Sequence, residues 1–284
     1  MKREGVIAFA KSVKADLVGV APVERFDELP AEKHPRTIFP EAKSVVVIGR
    51  RITRGTLRGV EEGTNFMGYL YYGYNWLNDR FLAMATFQVA SWLEDNGYEA
   101  APLPPLPSEI PAMGIPVREG APAPNVLLDM EDAAVRAGLG EIGRCGFFLS
   151  PEFGPRQRFN MILTDAEMEG TPMFGGRVCL GEKCGVVCPN GATGGDEERR
   201  IGGKTMEVGK VDYGVCRRCR DGSGPNMYYE GAKPDRLGAV CARTCVENLE
   251  RAGVVTSKFA MGFRQRPVWT RPSPSDNPFS ITGR

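Results

Sequence analysis

Seven cysteines crowd between Cys179 and Cys245 in a chain that has eight in all. They fall into three groups: Cys179, Cys184 and Cys188 in RVCLGEKCGVVCP, Cys216 and Cys219 in CRRC, and Cys241 and Cys245 in CARTC. Thiolates are soft ligands that suit zinc or the iron of iron–sulfur clusters. The spacing Cys184-x3-Cys188-Pro189 reproduces the end of the two-cluster pattern C-x2-C-x2-C-x3-C-P, whose last cysteine ligates the other cluster. Proline there fixes the backbone and removes a donor as the chain leaves the metal. Upstream the match is looser, since Cys179 stands five positions before Cys184.

Cys216-x2-Cys219 opens a split copy that Cys241-x3-Cys245 closes after a long insertion. With the crossing rule, Cys188, Cys216, Cys219 and Cys241 hold one [4Fe–4S] cluster. Cys179, Cys184 and Cys245 then form a second site one ligand short. That site is a three-iron cluster, takes another ligand, or does not form. Zinc is the rival, because Cys216, Cys219, Cys241 and Cys245 have the spacing of a four-thiolate structural site. Zinc leaves Cys179, Cys184 and Cys188 without a task, whereas iron–sulfur chemistry uses all seven and is the favoured reading.

Outside the cysteines the reactive inventory is thin. His34 is the single histidine, so a metal site built on several histidines is excluded, and a loop role is expected for it. MGYLYYGYNW (67–76) offers an aromatic wall, with Tyr72 as the candidate proton donor and Tyr74 near it. Asp132 is the candidate acid, since it lies nearest the following glycine loop; Asp129 and Asp132 otherwise read as helix-start acids. Gly138-x-Gly140-x-x-Gly143 has the form of a dinucleotide fingerprint, but that device needs strand then helix. Here a helix comes first, so the glycines serve a tight turn or a close approach to a flat ligand.

The elements that must carry these groups follow from periodicity. Val6, Ile7, Ala10 and Val13 form a helical stripe over 2–15. DLVGVAP (16–22) and SVVVIGRRI (44–52) read as strands. A long helix spans 75–96 and stops at Asn96-Gly97, and YEAAPLP follows as an edge strand. Residues 101–126 hold eight prolines and form an irregular connector. A helix at 131–140 ends on glycine, then strands follow at 146–150 and 158–165. Helices and strands mixed in this way imply an α+β or α/β core over 1–170. A cysteine-rich module over 171–257 depends on its metal for order, and a proline-rich tail covers 258–284.

Thirty-six basic against 35 acidic residues leave a net charge of +1. This gives no field to steer nucleic acid or an anionic membrane. No run reaches the roughly 18 apolar residues that a span requires. The basic start is interrupted by Lys11 and Lys14 where a signal peptide would be apolar. The expectation is a cytoplasmic protein.

The segment AAVRAGLGEIGRCGFFLSPEFGPRQRFNMILTDAEME, followed by C-x4-C-x3-CP, resembles the corrinoid and iron–sulfur family of epoxyqueuosine reductases and reductive dehalogenases. ADLVGVAPVERF and HPRTIFPEAKSVVVIG add to the likeness, which covers about residues 5–250. It implies an α+β, nitroreductase-like core with a ferredoxin-like iron–sulfur module. It also implies base-off cobalamin between them, with electrons passing through the clusters to cobalt. The positions matching the family's cofactor loops are Gly138, Gly140, Gly143, Arg144 and Cys145, then Gly154, Pro155, Arg156 and Arg158. Two departures stand out. Pro124 occupies the place of the proton-donating aspartate of epoxyqueuosine reductases, and Cys145 replaces the usual Asn or His. The expected function is an iron–sulfur and cobalamin-dependent oxidoreductase acting on a small molecule or a corrinoid. The alternative is an electron-transfer or corrinoid-handling protein without substrate chemistry of its own. Either would take electrons from a donor such as ferredoxin or flavodoxin, without nucleic acid or membrane, and a homodimer is compatible with both.

Overall fold

A computed structural model describes residues 1–181 and 187–264. Cys184 and the tail from 265 therefore lie outside the described residues. Helices and strands are mixed, and the main sheet is antiparallel throughout, in the order β1-β2-β6-β3. Its strands are β1 (Leu17–Pro22), β2 (Ser44–Arg51), β3 (Ala100–Leu103) and β6 (Gln157–Thr164). β3 lies at the edge as expected, and its Pro102 needs no ladder donor there.

The run SVVVIG is apolar without alternation because both faces of this sheet are covered. Val45 and Val47 enter one core with Ala133, Ala134 and Val135 of helix α3 (Met130–Arg136). Val46 and Ile48 enter the other with Val6 and Ala10 of α1 (Arg3–Ser12) and Val89 and Leu93 of α2 (Ala83–Asp95). Burial of such side chains contributes about 1.5–3 kcal/mol each.

The long helix differs from expectation at its start. Leu70–Asn75 and Leu77–Leu82 are wound as π-helix before regular α2 begins. The wider turns bury Tyr74 and Asn78 on the inner side and leave Tyr72 outside. Such turns recur at functional sites because they re-aim side chains without ending the helix. α2 ends where expected, with Gly97 at φ +83°.

Asp129 caps α3 by accepting from the amides of Glu131 and Asp132, and the helix ends at Gly138, φ +74°. A short hairpin follows, β4 (Glu141–Ile142) and β5 (Phe148–Leu149), whose tip is Gly143-Arg144-Cys145-Gly146. Gly146 takes φ +67° to close that tip.

The cysteine-rich half is not a free-standing appendage. It contains a hairpin absent from the sequence reading, β7 (Thr193–Ile201) with β8 (Lys204–Val211). Its Ile201, Met206 and Val208 bury into the sheet's first core. Helix α4 (Val240–Arg251) is bound to the amino-terminal half by charge. Arg243, fully buried, donates to Glu61 and Asp221, and Arg264 also donates to Glu61. The described start of the tail wraps the body, with Phe263 buried and Arg54 stacked 3.7 Å over Phe259. Among the described residues no helix is long and apolar enough to cross a membrane.

Candidate functional site

A cavity of about 210 Å³ opens between the π-helical turns, the start of α3, β6 and the insertion that separates CRRC from CARTC. Its polar groups come in two sets. On one side Arg158 donates to Asp235 at 3.0 Å, to the Tyr69 hydroxyl at 3.1 Å and to the Gly73 carbonyl at 2.7 Å. The Tyr74 ring lies 4.1 Å from that guanidinium, and its hydroxyl accepts from the Met227 amide. Burial, then the Asp235 carboxylate, push the Tyr74 phenol up to about 12.

On the other side stand Asp129, Glu131 and Lys233, with Lys233 Nζ 3.3 Å from Glu109 and 3.9 Å from Asp129. Glu131 is exposed and lines the cavity. Burial among protein groups, then the neighbouring Asp129 carboxylate, push its carboxyl up to about 7. A carboxyl poised there can hold a proton near neutrality and release it to a bound molecule.

Arg236 joins this cavity to the cysteines. Its guanidinium donates to the carbonyls of Cys145 (3.1 Å) and Gly146 (3.4 Å), stacks on Phe147 and Tyr213, and favours thiolate at Cys216 and Cys241.

The sulfurs gather in two neighbourhoods. Cys216, Cys219 and Cys241 are buried, and each is influenced by Cys188. Cys245 instead faces Cys179 as well as Cys241. Burial pushes the Cys241 thiol up to about 11 and the Cys245 thiol further. An apolar pocket of this kind favours thiolates only when a bound cation compensates them. Among the described residues, no three His, Cys, Asp or Glu groups converge tightly enough for a single metal ion. Buried sulfur donors in two sets are the donor chemistry of iron–sulfur clusters.

Several residues singled out from sequence are engaged elsewhere. Tyr72 is 52% exposed, meets Trp76 edge-on and stacks with Phe81 on the surface; Tyr74 lines the cavity. Asp132 is paired to the buried Arg136 one turn on, which also holds Glu28; its neighbour Glu131 lines the cavity, with Asp129, Glu109 and Asp235. Arg144 bonds Asp196 and Glu207, fixing the β4–β5 hairpin to β7 and β8. Arg156 is buried and donates to the Ile52 carbonyl and the Ser257 hydroxyl. The Pro155 carbonyl accepts from the Gln157 amide. Of the residues drawn from the two cofactor loops, only Arg158 lines the cavity. His34 caps a short helix by accepting from the Arg36 amide, as a loop residue should.

No protein-family model matches the chain. Tetrachloroethene reductive dehalogenase from Desulfitobacterium hafniense is 30% identical over 176 residues, 58% of this chain and 28% of that protein. Over that stretch the chain is similar to the reductive dehalogenases. It spans 28% of the length of the curated dehalogenase it matches. The catabolic reductive dehalogenase NpRdhA, solved with 3-bromo-4-hydroxybenzoic acid, shares the fold at TM-score 0.54 and 17% identity, over 95% of this chain and 42% of that one. An epoxyqueuosine reductase solved with a tRNA stem loop aligns at TM-score 0.47 and 17% identity, over 87% of this chain and 61% of that one.

Likeness to the dehalogenases raises the question of the corrin, and the residues present do not fit one at this cavity. About 210 Å³ is below the range of roughly 300–1,000 Å³ usual for ligands far smaller than cobalamin. The glycines expected to lie against a corrin face lie against the protein itself. A β-carbon at Gly138 would meet the Pro172 carbonyl, at Gly140 the Leu149 carbonyl, at Gly143 the Leu149 side chain and at Gly154 that of Leu249. Gly140→Val is therefore expected to destabilise the fold by about 1–3 kcal/mol or more, whether or not any cofactor is present. Denaturant midpoints of the two proteins check this, and an unchanged midpoint would contradict it.

Proposed function

We propose that the protein is an iron–sulfur oxidoreductase of the dehalogenase kind that reduces a small molecule held in the cavity. The observation that carries this reading is Arg236, which touches the cavity on one side and the cysteine neighbourhood on the other. In this reading residues 1–170 form a nitroreductase-like core and 171–257 a ferredoxin-like module. Cys188, Cys216, Cys219 and Cys241 hold one cluster; Cys179, Cys184 and Cys245 contribute to a second. Clusters supply single electrons from an external donor such as ferredoxin or flavodoxin.

The chain's own groups do the rest. Lys233 and Arg158 draw a negatively charged or phenolic molecule into the cavity, and Tyr74 and Phe147 bracket its flat part. Glu131 delivers the proton. For a halogenated substrate the balance is R–X plus two electrons and one proton giving R–H and halide. No step passes through a corrin.

A second reading has one observation behind it: the cavity is too small for a corrin. A corrinoid would then be a partner's cargo, and the protein would pass electrons to it. Cluster-loaded protein with reduced viologen and a panel of halogenated hydroxybenzoates separates the two. Halide release coupled to viologen oxidation is expected. Reduced clusters, no halide, and rapid electron passage to added cob(II)alamin would instead establish the second reading.

A further inference from the structure

The second sulfur neighbourhood has a member outside the seven-cysteine region. Cys145 sits at the tip of the β4–β5 hairpin, 3% exposed, in one apolar cluster with Cys241 and Cys245 and with Cys179 packed against it. The same tip is built around Cys179. The Arg144 amide points at Cys179 Sγ from 3.4 Å, and a β-carbon placed on Gly143 would stand 3.4 Å from that sulfur. N–H groups aimed at sulfur are a standard means of stabilising cluster thiolates.

Cys179 is held in place from the same hairpin. Buried Glu141 of β4 accepts from the amides of Val178 (2.7 Å) and Cys179 (2.8 Å), and Lys204 balances its charge at 3.6 Å. Three elements far apart in sequence thus bring Cys145, Cys179 and Cys245 into one neighbourhood. Cys145 is disulfide-bonded in this structure, so ligation requires that bond to be reduced first.

We propose that Cys145 is the fourth ligand of the second cluster, completing Cys179, Cys245 and the sequence-assigned Cys184. This rests on the iron–sulfur reading above. It makes the second site a full [4Fe–4S] cluster whose ligands come from both halves of the chain.

The test uses the full chain, reconstituted anaerobically with iron and sulfide under a thiol reductant. Wild type is expected to hold about eight irons. Cys145→Ala is expected to hold about four, or about seven with the EPR signal of an oxidised three-iron cluster. Cys216→Ser should lose the other cluster and keep this one. Retention of the Cys216-dependent cluster in Cys145→Ala shows that the variant is folded. Eight irons as two four-iron clusters in Cys145→Ala would overturn the proposal. So would a wild type with only four irons, or differential alkylation finding Cys145 still in a disulfide in the loaded protein. A wild type with no iron at all fails the underlying reading instead.

Discussion

Glu131→Gln is expected to lower reductive turnover roughly 10²–10⁴-fold, the usual range for loss of a positioned general acid. The amide keeps the size of the carboxyl and removes the proton. The pH profile tests the assignment more sharply than the rate. Burial and Asp129 raise the Glu131 pKa to about 7, so the donor is present below neutrality and lost as pH rises through that value. Wild-type turnover should fall across that window, and the variant's residual turnover should not. The groups facing Glu131 are Asp129 on its own helix, Lys233 and Arg236 on the insertion, and the Phe148 amide on β5. Lys233→Met should therefore move the falling limb to higher pH, because a cation that favours the carboxylate is gone. Asp132→Asn provides the contrast: it breaks the pair with Arg136 and should change stability while leaving the limb in place. An unchanged limb in Glu131→Gln would remove Glu131 from the chemistry.

The second large effect is structural. Arg243→Met should destabilise the cluster-loaded protein by about 3–5 kcal/mol, because breaking a buried pair strands the opposite charges. Arg243 has no exposed surface, and the Glu61 and Asp221 side chains are 3% and 16% exposed. Arg264 still faces Glu61. Adding Glu61→Gln to Arg243→Met should recover part of the loss, since one stranded charge is removed. Anaerobic denaturant titrations measure both. A loss under about 1 kcal/mol would place this network in the class of exposed pairs, against its burial.

The elements most legible in the sequence were those whose signal is local. SVVVIG declared a buried strand, and Asn96-Gly97 declared a helix end. The β7–β8 hairpin was hidden for a physical reason. Seven consecutive residues of GGDEERR are exposed along β7, so no alternation marks that strand. The sign that was present is Gly202-Gly203, with φ +53° and +89°, a pair suited to a tight hairpin. Glu131 was passed over for Asp132 because the choice depends on the insertion around Lys233 and Asp235, a hundred residues downstream. Tyr74 was ranked below Tyr72 because regular helical phase does not foresee a π-turn.

The sheet also fixes an order of assembly. β2 pairs with β6 from Ser44↔Thr164 to Arg51↔Gln157, so its central ladder waits on closure of a loop of more than a hundred residues. Contacts so distant in sequence slow folding. Yet Thr164 leaves the ribosome before Cys179 and every later cysteine. Synthesis runs from the amino terminus at roughly 5–20 residues per second, so the strands of the main sheet and the Cys145 hairpin are made before the other thiols, while the partners that pack on them come later. The β7–β8 hairpin that closes the sheet's first core through Ile201, Met206 and Val208 is made only after Cys179, so a chain truncated near residue 175 is expected to be more protease-sensitive than the full chain.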